Sequence, residues 1–275
     1  CFTAVVDAMR YQPDIIHIHG TGAAILTPVA RLLHPRAKVI VTFHCIDRTL
    51  AKWNWFAKFA FRIGEWFACH LAHRTIVVSQ QLATYCLQTY GCQVTYVPHP
   101  FTLAATDADP QTLVPYGLKP EAFLLCVARL ISDKHIHTLI HAYAKARQAH
   151  PERFAELPLV IVGDGSWTDK YVPFVKDIAR NTEGVVLLGE RCGADLRAMQ
   201  SLAYAHVLPS ASEGLAFVLL EAAAFRRPIV MTDLLQNVEA TGGNGVLVKP
   251  ADVASLTRGL IEIAHTPQAV REQMG

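Results

Sequence analysis

The sequence predicts an α/β protein built from two doubly wound, Rossmann-like parallel-sheet units in series. Three observations lead there. Short apolar runs alternate with helical or loop segments along the whole chain, the pattern of parallel strands joined by crossover helices. Residues 98–120 interrupt that pattern with Pro98, Pro100, Pro110, Pro115, Gly117 and Pro120, with Asp107 and Asp109 among them, a density of turn formers that reads as an interdomain linker. The chain has 275 residues, 52% hydrophobic and only 17% charged, which suits two buried cores and excludes disorder.

In the first unit, 1–105, the runs at 15–19, 39–43, 75–78 and 94–97 are expected to be buried parallel strands. Four strands make a small doubly wound domain. The chain also opens in what reads as the end of a helix, so this unit is expected to be incomplete. In the second unit, 106–275, strands are expected at 123–127, 159–162, 185–188, 206–208, 229–231 and 245–248. Helices fit at 133–149, 168–180, 193–202, 215–226 and 251–264. Residues 267–275 begin a helix with no room to finish. The two units are expected to face each other across a cleft.

Composition excludes several function classes. Net charge is +2, divided as +5 over residues 1–100 and −3 over the remainder. So small a balance, with no recognisable module, argues against nucleic acid as a partner. No uninterrupted apolar run approaches the roughly 20 residues of a membrane span. Cys1 to Arg10 shows none of the features of a signal peptide. Seven cysteines, an odd number without a C-x-x-C pair, argue against structural zinc and a disulfide framework. Reduced, mostly buried thiols in a cytoplasmic protein are expected.

Four stretches carry chemistry. In Pro209-Ser210-Ala211-Ser212-Glu213-Gly214-Leu215-Ala216, a strand ends in a small-residue turn and a helix is expected to begin near Gly214. Backbone N–H groups at such a start attract phosphate or sugar oxygens. Glu221 follows Glu213 by eight residues, about two helical turns on and rotated by roughly 80°. Two acids so spaced can grip two parts of one elongated ligand; spacing alone leaves open a helix-start acid and a surface acid. Arg129 and Lys134 flank a second strand-to-helix turn, with Ser132 or Asp133 available as N-cap. Two cations beside a helix start suit a diphosphate, although solvated surface cations would look the same. In Gly163-Asp164-Gly165 a buried strand ends in a glycine turn that lets the backbone approach a ligand. It is not G-x-G-x-x-G, so a dinucleotide site is poorly supported. His44 closes the run Val41-Thr42-Phe43 and faces where the cleft is expected. His17 and His19 alternate on their strand and are expected only to line one face.

Taken in order, these pieces resemble the family 4 (group 1) retaining glycosyltransferases, whose two-Rossmann architecture is called GT-B. The likeness runs over essentially the whole chain and rests on the Glu-x7-Glu, Arg-x4-Lys and Gly-Asp-Gly motifs in the family's order and spacing. Residues 44–66 and 163–171 further resemble a subgroup of capsule, exopolysaccharide and lipopolysaccharide assembly. The resemblance implies transfer of a sugar from a nucleotide-sugar co-substrate to a glycan or lipid-linked acceptor, by front-face attack, without metal or other cofactor. It implies that Arg129 and Lys134 hold the donor diphosphate, that Glu213 contacts the donor sugar, and that Gly214, Leu215 and Ala216 cradle sugar and phosphate. Glu221 would bind the ribose, Gly163 and Gly165 would line the donor pocket, Gly189 and Arg191 would stand at the base, and His44 would reach the donor sugar.

Some positions depart from the pattern. His135 and Arg226 stand where glycine is common, Ala216 where glycine or proline is frequent, and Val97-Pro98-His99-Pro100 replaces V-P-N-G. The family's opening strand with its glycine-rich loop and its closing helix are both missing, so a fragment of a longer enzyme is expected. A nucleotide-sugar epimerase of the same architecture, or an inactive nucleotide-binding fragment, are the competing readings. Residues 50–74 mix aromatic and basic side chains (Lys52, Trp53, Trp55, Phe56, Lys58, Phe59, Phe61, Arg62, Trp66, Phe67) and predict peripheral contact with an anionic membrane surface, at the inner face of the cell membrane.

Overall fold

A computed structural model describes residues 2–49, 53–99, 108–165, 170–267 and 270–271. Two compact units emerge: Cys1–Pro100 with Glu213–Leu215, and Phe101–Ser212 with Ala216–Gly275.

The first unit opens with a short helix, α1 (Phe2–Asp7), and holds a wholly parallel sheet in the order β1-β2-β3-β4. Its strands are β1 (Ile15–His19), β2 (Lys38–Phe43), β3 (Arg74–Val77) and β4 (Thr95–Tyr96). They are linked by α2 (Thr27–Leu33), α3 (Trp55–Leu71) and α4 (Gln80–Tyr90). Asn54 and Ser79 begin α3 and α4 by accepting the Ala57 and Leu82 amides. Val39, Val41, Phe43, Val77, Leu82 and Ala68 form the core of this unit. Two strands expected to be buried are not. Ile15, His17 and His19 are exposed on one face of β1 while Ile18 is buried on the other, and both residues of β4 are exposed; among the described residues these are the outermost strands of the sheet.

The second unit carries six parallel strands in the order β10-β9-β8-β5-β6-β7. They are β5 (Leu124–Val127), β6 (Leu159–Val162), β7 (Val185–Gly189), β8 (Ala205–Leu208), β9 (Ile229–Thr232) and β10 (Val246–Val248). Six helices accompany them: α5 (Ile136–Ala149), α6 (Pro151–Ala155), α7 (Tyr171–Arg180), α8 (Gly193–Leu202), α9 (Phe217–Ala224) and α10 (Leu235–Thr241), with α11 (Val253–His265) as the seventh among the described residues. Alternate residues serve opposite faces, as a strand's period of two requires. Leu124, Cys126, Leu159 and Ile161 pack with Leu139, Tyr143 and Leu260. Phe123, Leu125, Val160 and Val162 pack with Leu113 and Met199 on the other face.

Several expectations need correction. Much of the expected linker is structure: Pro110–Tyr116 is a 3-10 helix capped by Asp109, and its Leu113 is fully buried beneath the second sheet. Proline fixes the backbone of that turn and does not mark a flexible connection here; residues 100–107 lie outside the described residues. The helix expected at 133–149 begins at Ile136, after a 3-10 turn at Ser132–Lys134, because His135 adopts a left-handed conformation with φ 50°. Neither Ser132 nor Asp133 caps it. The helix expected from 168 begins at Tyr171, and residues 166–169 of the stretch likened to the polysaccharide subgroup lie outside the described residues. So do Cys1, Lys52 and 272–275 of the expected last helix. Helix α10 was not foreseen; its seven residues are too few to show a periodicity. Of the six described cysteines, all free, only Cys86 and Cys126 are buried, so the thiols are not mostly buried; Cys192 is exposed.

One buried polar group makes the second unit sensitive to acid. His206 on β8 is fully buried; its Nε2 bonds the Gln200 carbonyl at 2.8 Å, and its Nδ1 has no partner. Burial holds its pKa down at about 4, against an ordinary 6.5. The folded state therefore binds this proton less readily than the unfolded chain, so the stabilisation is complete above pH 6.5 and is lost as pH falls towards 4. Chemical denaturation between these pH values should show stability falling in the parent chain and a much flatter profile in His206→Leu.

Candidate functional site

The strand order of the second sheet fixes where a ligand can enter. Growth runs from β5 through β6 to β7 on one side and from β8 through β9 to β10 on the other. Direction therefore reverses between β5 and β8. In open α/β sheets the loops leaving the carboxyl ends of two such strands diverge, and that is the usual ligand position. The loop after β5 carries Arg129 and Lys134, and the loop after β8 carries Pro209 to Ala216. Both of the first two motif turns thus emerge at the one switch point of this sheet.

Hydrogen bonds hold the two turns together. The Ala211 amide donates to the Asp133 carbonyl at 2.9 Å, tying one directly to the other. The Thr232 hydroxyl at the end of β9 donates to the Ser210 carbonyl at 2.6 Å, and Asn237 of α10 donates to Thr232 at 3.0 and 3.1 Å. Ser210, Thr232 and Asn237 are all buried, which makes these bonds costly to break. Sequence patterns did not single out Thr232 or Asn237; a polar residue at a strand end is too common to stand out.

The glycine turn braces the cation loop from the other side. Ala128 donates to Val162 at 3.0 Å and Leu130 to Asp164 at 3.0 Å, while Gly163 donates to Gly189 at 2.8 Å. Gly163 has φ +134°, and a Cβ there would lie 2.1 Å from the Ala128 carbonyl oxygen. One at Gly165 would lie 2.6 Å from that of Leu130. These glycines let the turn press against the Arg129 loop. Arg129 itself is exposed and Lys134 half-buried.

Glu221 and Glu213 do not share a helix as expected. Helix α9 starts at Phe217, so Glu213 to Ala216 precede it and the 80° rotation does not apply. Glu213, Gly214 and Leu215 group with the first unit, whereas Arg129, Lys134, Ala216 and Glu221 belong to the second. Glu221 is half-buried and takes a hydrogen bond from the Gln200 side chain of α8. Burial raises its pKa, against the opposing effect of Gln200. Gln200 meanwhile receives His206 on its carbonyl, so a buried polar path fixes the acid. A solvated surface acid would have neither feature.

Gly189 ends β7 with φ +70°. Arg191, two residues on, lies over the Tyr116 ring at 5.3 Å, and the Tyr116 hydroxyl donates to Asp195 at 2.6 Å. Tyr116 escaped notice because its segment read as linker. In the first unit, His44 follows β2, half-buried. Its pKa is lowered first by burial, then by His99 and His19 and, less, by His17, with Asp47 opposing. His19 and His99 are therefore part of its surroundings, which the alternation on β1 did not reveal.

Comparison with known proteins assigns the family. Residues 121–266 match the model described as Glycosyl transferases group 1, and residues 3–104 match Glycosyltransferase Family 4. Glycogen synthase of Mycobacterium tuberculosis is 31% identical over 55% of this chain, which spans only 36% of that protein's length. TuaC of Bacillus subtilis, assigned as a teichuronic acid biosynthesis glycosyltransferase, is 26% identical over 96% of this chain and 65% of its own. The crystal structure of Anabaena Alr3699/HepE with UDP and glucose superposes with a TM-score of 0.79 at 20% identity, covering 99% of this chain and 76% of that one.

Backbone conformation bears on two departures from the family pattern. His135 and Arg226, in place of the common glycines, have φ 50° and 53°. A side chain costs roughly 1–2 kcal/mol in this region. Arg226→Gly should raise unfolding stability by about 1 kcal/mol, whereas Gly163→Ala should lower it by more than about 2 kcal/mol through strain and collision. Denaturant midpoints of both variants check this pair. Two parallel α/β sheets and two family models that between them cover nearly all the residues make this chain a member of the group 1, family 4 glycosyltransferases of GT-B fold.

Proposed function

We propose that this chain belongs to a retaining glycosyltransferase that moves a sugar from a nucleotide-sugar donor to a glycan or lipid-linked saccharide in cell-surface polysaccharide synthesis. The observation that carries the reading is the pinning of the Arg129–Lys134 turn to the 209–216 turn at the switch point of the second sheet. Two cations and a cradle of small residues at one crevice suit a diphosphate that gains negative charge as it leaves. Glu221, fixed by Gln200, accepts the ribose hydroxyls, and Gly189 with Arg191 borders the base. Glu213 and His44 contact the donor sugar. The acceptor oxygen bonds to the anomeric carbon on the face from which the nucleotide diphosphate departs, and the acceptor's proton leaves on a phosphate oxygen. Arg129 and Lys134 supply the positive charge, so no divalent ion is required. UDP in the HepE structure makes UDP-sugars the first donors to try.

Glu213→Ala and Lys134→Ala should each lower transfer at least about 100-fold, the scale of losing one group that stabilises developing charge, and EDTA should leave the parent rate unchanged. Transfer at the parent rate in either variant would remove the site assignment. A product formed from donor alone, with no acceptor added, would identify an epimerase instead.

We also propose that α3 rests on an anionic membrane surface. Successive residues turn by about 100°, which places Trp55, Phe59, Arg62 and Trp66 within about 60° of arc. Trp55, Phe56, Phe59 and Trp66 are 80%, 66%, 59% and 46% exposed, and Lys58 and Arg62 are exposed beside them. The inward face carries Gly64, Glu65 and Ala68, and Trp53 packs on Phe61 at 5.1 Å, so only part of the aromatic set is available. The +5 charge of residues 1–100 complements an acidic lipid surface. No helix among the described residues is long and apolar enough to cross a membrane. Sedimentation with phosphatidylglycerol vesicles should carry the chain down and neutral vesicles should not, and Trp55→Ser with Phe59→Ser should abolish the effect. Equal recovery in the supernatant with both vesicle types would end this reading.

A further inference from the structure

Three imidazoles stand in a row at the carboxyl end of the first sheet. His19 closes β1, His44 follows β2 and His99 follows β4. His44 Nε2 lies 3.0 Å from His19 Nδ1, and His44 Nδ1 lies 3.4 Å from His99 Nε2. The rings are stacked, with centroids 5.3 and 5.2 Å apart and interplanar angles of 20° and 6°. A fourth ring, His17, lies 4.1 Å from that of His19, but its Nε2 bonds the Thr42 hydroxyl at 2.7 Å.

A neutral imidazole has one N–H and one lone pair. Three neutral rings therefore satisfy both contacts only head to tail, with every N–H pointing the same way along the row. The groups acting on His44 include His19 and His17 from β1, His99 from beyond β4, and Asp47 from the turn after β2. Asp47 also accepts the Thr21 hydroxyl at 2.7 Å and the Cys45 thiol at 3.3 Å. Most of what surrounds His44 thus disfavours a second proton, and its pKa lies below the ordinary histidine value, as do those of His17 and His99.

With both nitrogens engaged, His44 can meet a ligand only by exchanging one bond. At 3.4 Å the bond to His99 is the weaker of the two. For a ligand oxygen that can only accept, such as a phosphate or ring oxygen, to take over that place, the proton must sit on His44 Nδ1. His19 Nδ1–H must then donate to His44 Nε2. We propose that His19 and His99 are positioning residues: His19 fixes the ring and Nδ1–H tautomer of His44, and His99 accepts that N–H until a ligand oxygen replaces it. The inference rests on the reading of His44 as a donor-sugar contact, but its geometry and its test do not.

The test is long-range ¹H–¹⁵N correlation of the ring nitrogens in the 275-residue chain between pH 5 and 8, with His44 identified by its disappearance in His44→Gln. The parent chain should show His44 as the Nδ1–H tautomer, still neutral at a pH where exposed histidines are half protonated. His19→Ala should convert it to a tautomer mixture. His99→Ala should raise its midpoint, while His99→Gln, whose amide oxygen can still accept, should keep the tautomer. Amide dispersion identifies any variant that fails to fold; His19→Asn, whose amide N–H can still donate, should keep the tautomer as His99→Gln does, and loss of the tautomer in both would overturn the proposal. An Nε2–H His44 in the parent, or ring-nitrogen shifts and midpoints identical across parent, His19→Ala and His99→Ala, would overturn the proposal. If the tautomer behaves as stated but His44→Gln transfers sugar at the parent rate, the donor-contact reading fails and the row stands.

Discussion

The reversal of strand order between β5 and β8 is the constraint on which the rest of the second unit depends. A right-handed crossover puts its helix on one face of the sheet when the chain moves to one side and on the opposite face when it moves to the other. Starting from β5, the chain builds β6 and β7 to one side, then returns to lay β8, β9 and β10 on the other. Two neighbouring strands then send their loops to opposite faces, and a crevice forms between them without any side chain having to create it. What the side chains add is rigidity. The Ala211–Asp133 backbone bond ties the two loops together, and the Ser210–Thr232–Asn237 bonds hold the second loop to the end of β9 and to α10. The diphosphate site proposed for these loops would need this bracing, since cations act only where the backbone places them.

Bracing also accounts for Gly163 and Gly165, which press against the Ala128 and Leu130 carbonyls. Gly163 is demanded twice over, by its positive φ and by the Ala128 carbonyl against it. His135 and Arg226 hold left-handed positions with ordinary side chains, and so store strain at the start of α5 and the end of α9. His135 offsets part of that strain through a 3.2 Å contact between its Nδ1 and the Thr138 hydroxyl.

Much of this was legible in the sequence because buried parallel strands advertise themselves as apolar runs. Leu159 to Val162 could hardly be anything else, and β6 has the expected bounds. The motif cations at 129 and 134 and the small-residue turn at 209–212 were equally readable, since each sits where a strand pattern stops. What sequence could not show was edge position. Ile15 to His19 has a buried strand's composition, yet stands at a sheet margin and leaves its histidines exposed. Polar partners brought together only by tertiary packing were also hidden, among them Gln200 beneath Glu221, Tyr116 beside Arg191, and His19 and His99 on either side of His44. None of these residues stands at a fixed spacing from its partner, so no pattern along the chain marks them.

A nucleotide diphosphate bound at the switch point of the second sheet should change the exposure of both pinned loops. Amide hydrogen exchange with and without UDP measures this most directly, because it reports the backbone of both pinned loops at once. Exchange should slow with UDP at 129–134 and 211–221, with little change in β9, β10 or α11. Unaltered exchange in both loops at saturating UDP, or protection confined to other segments, would contradict it.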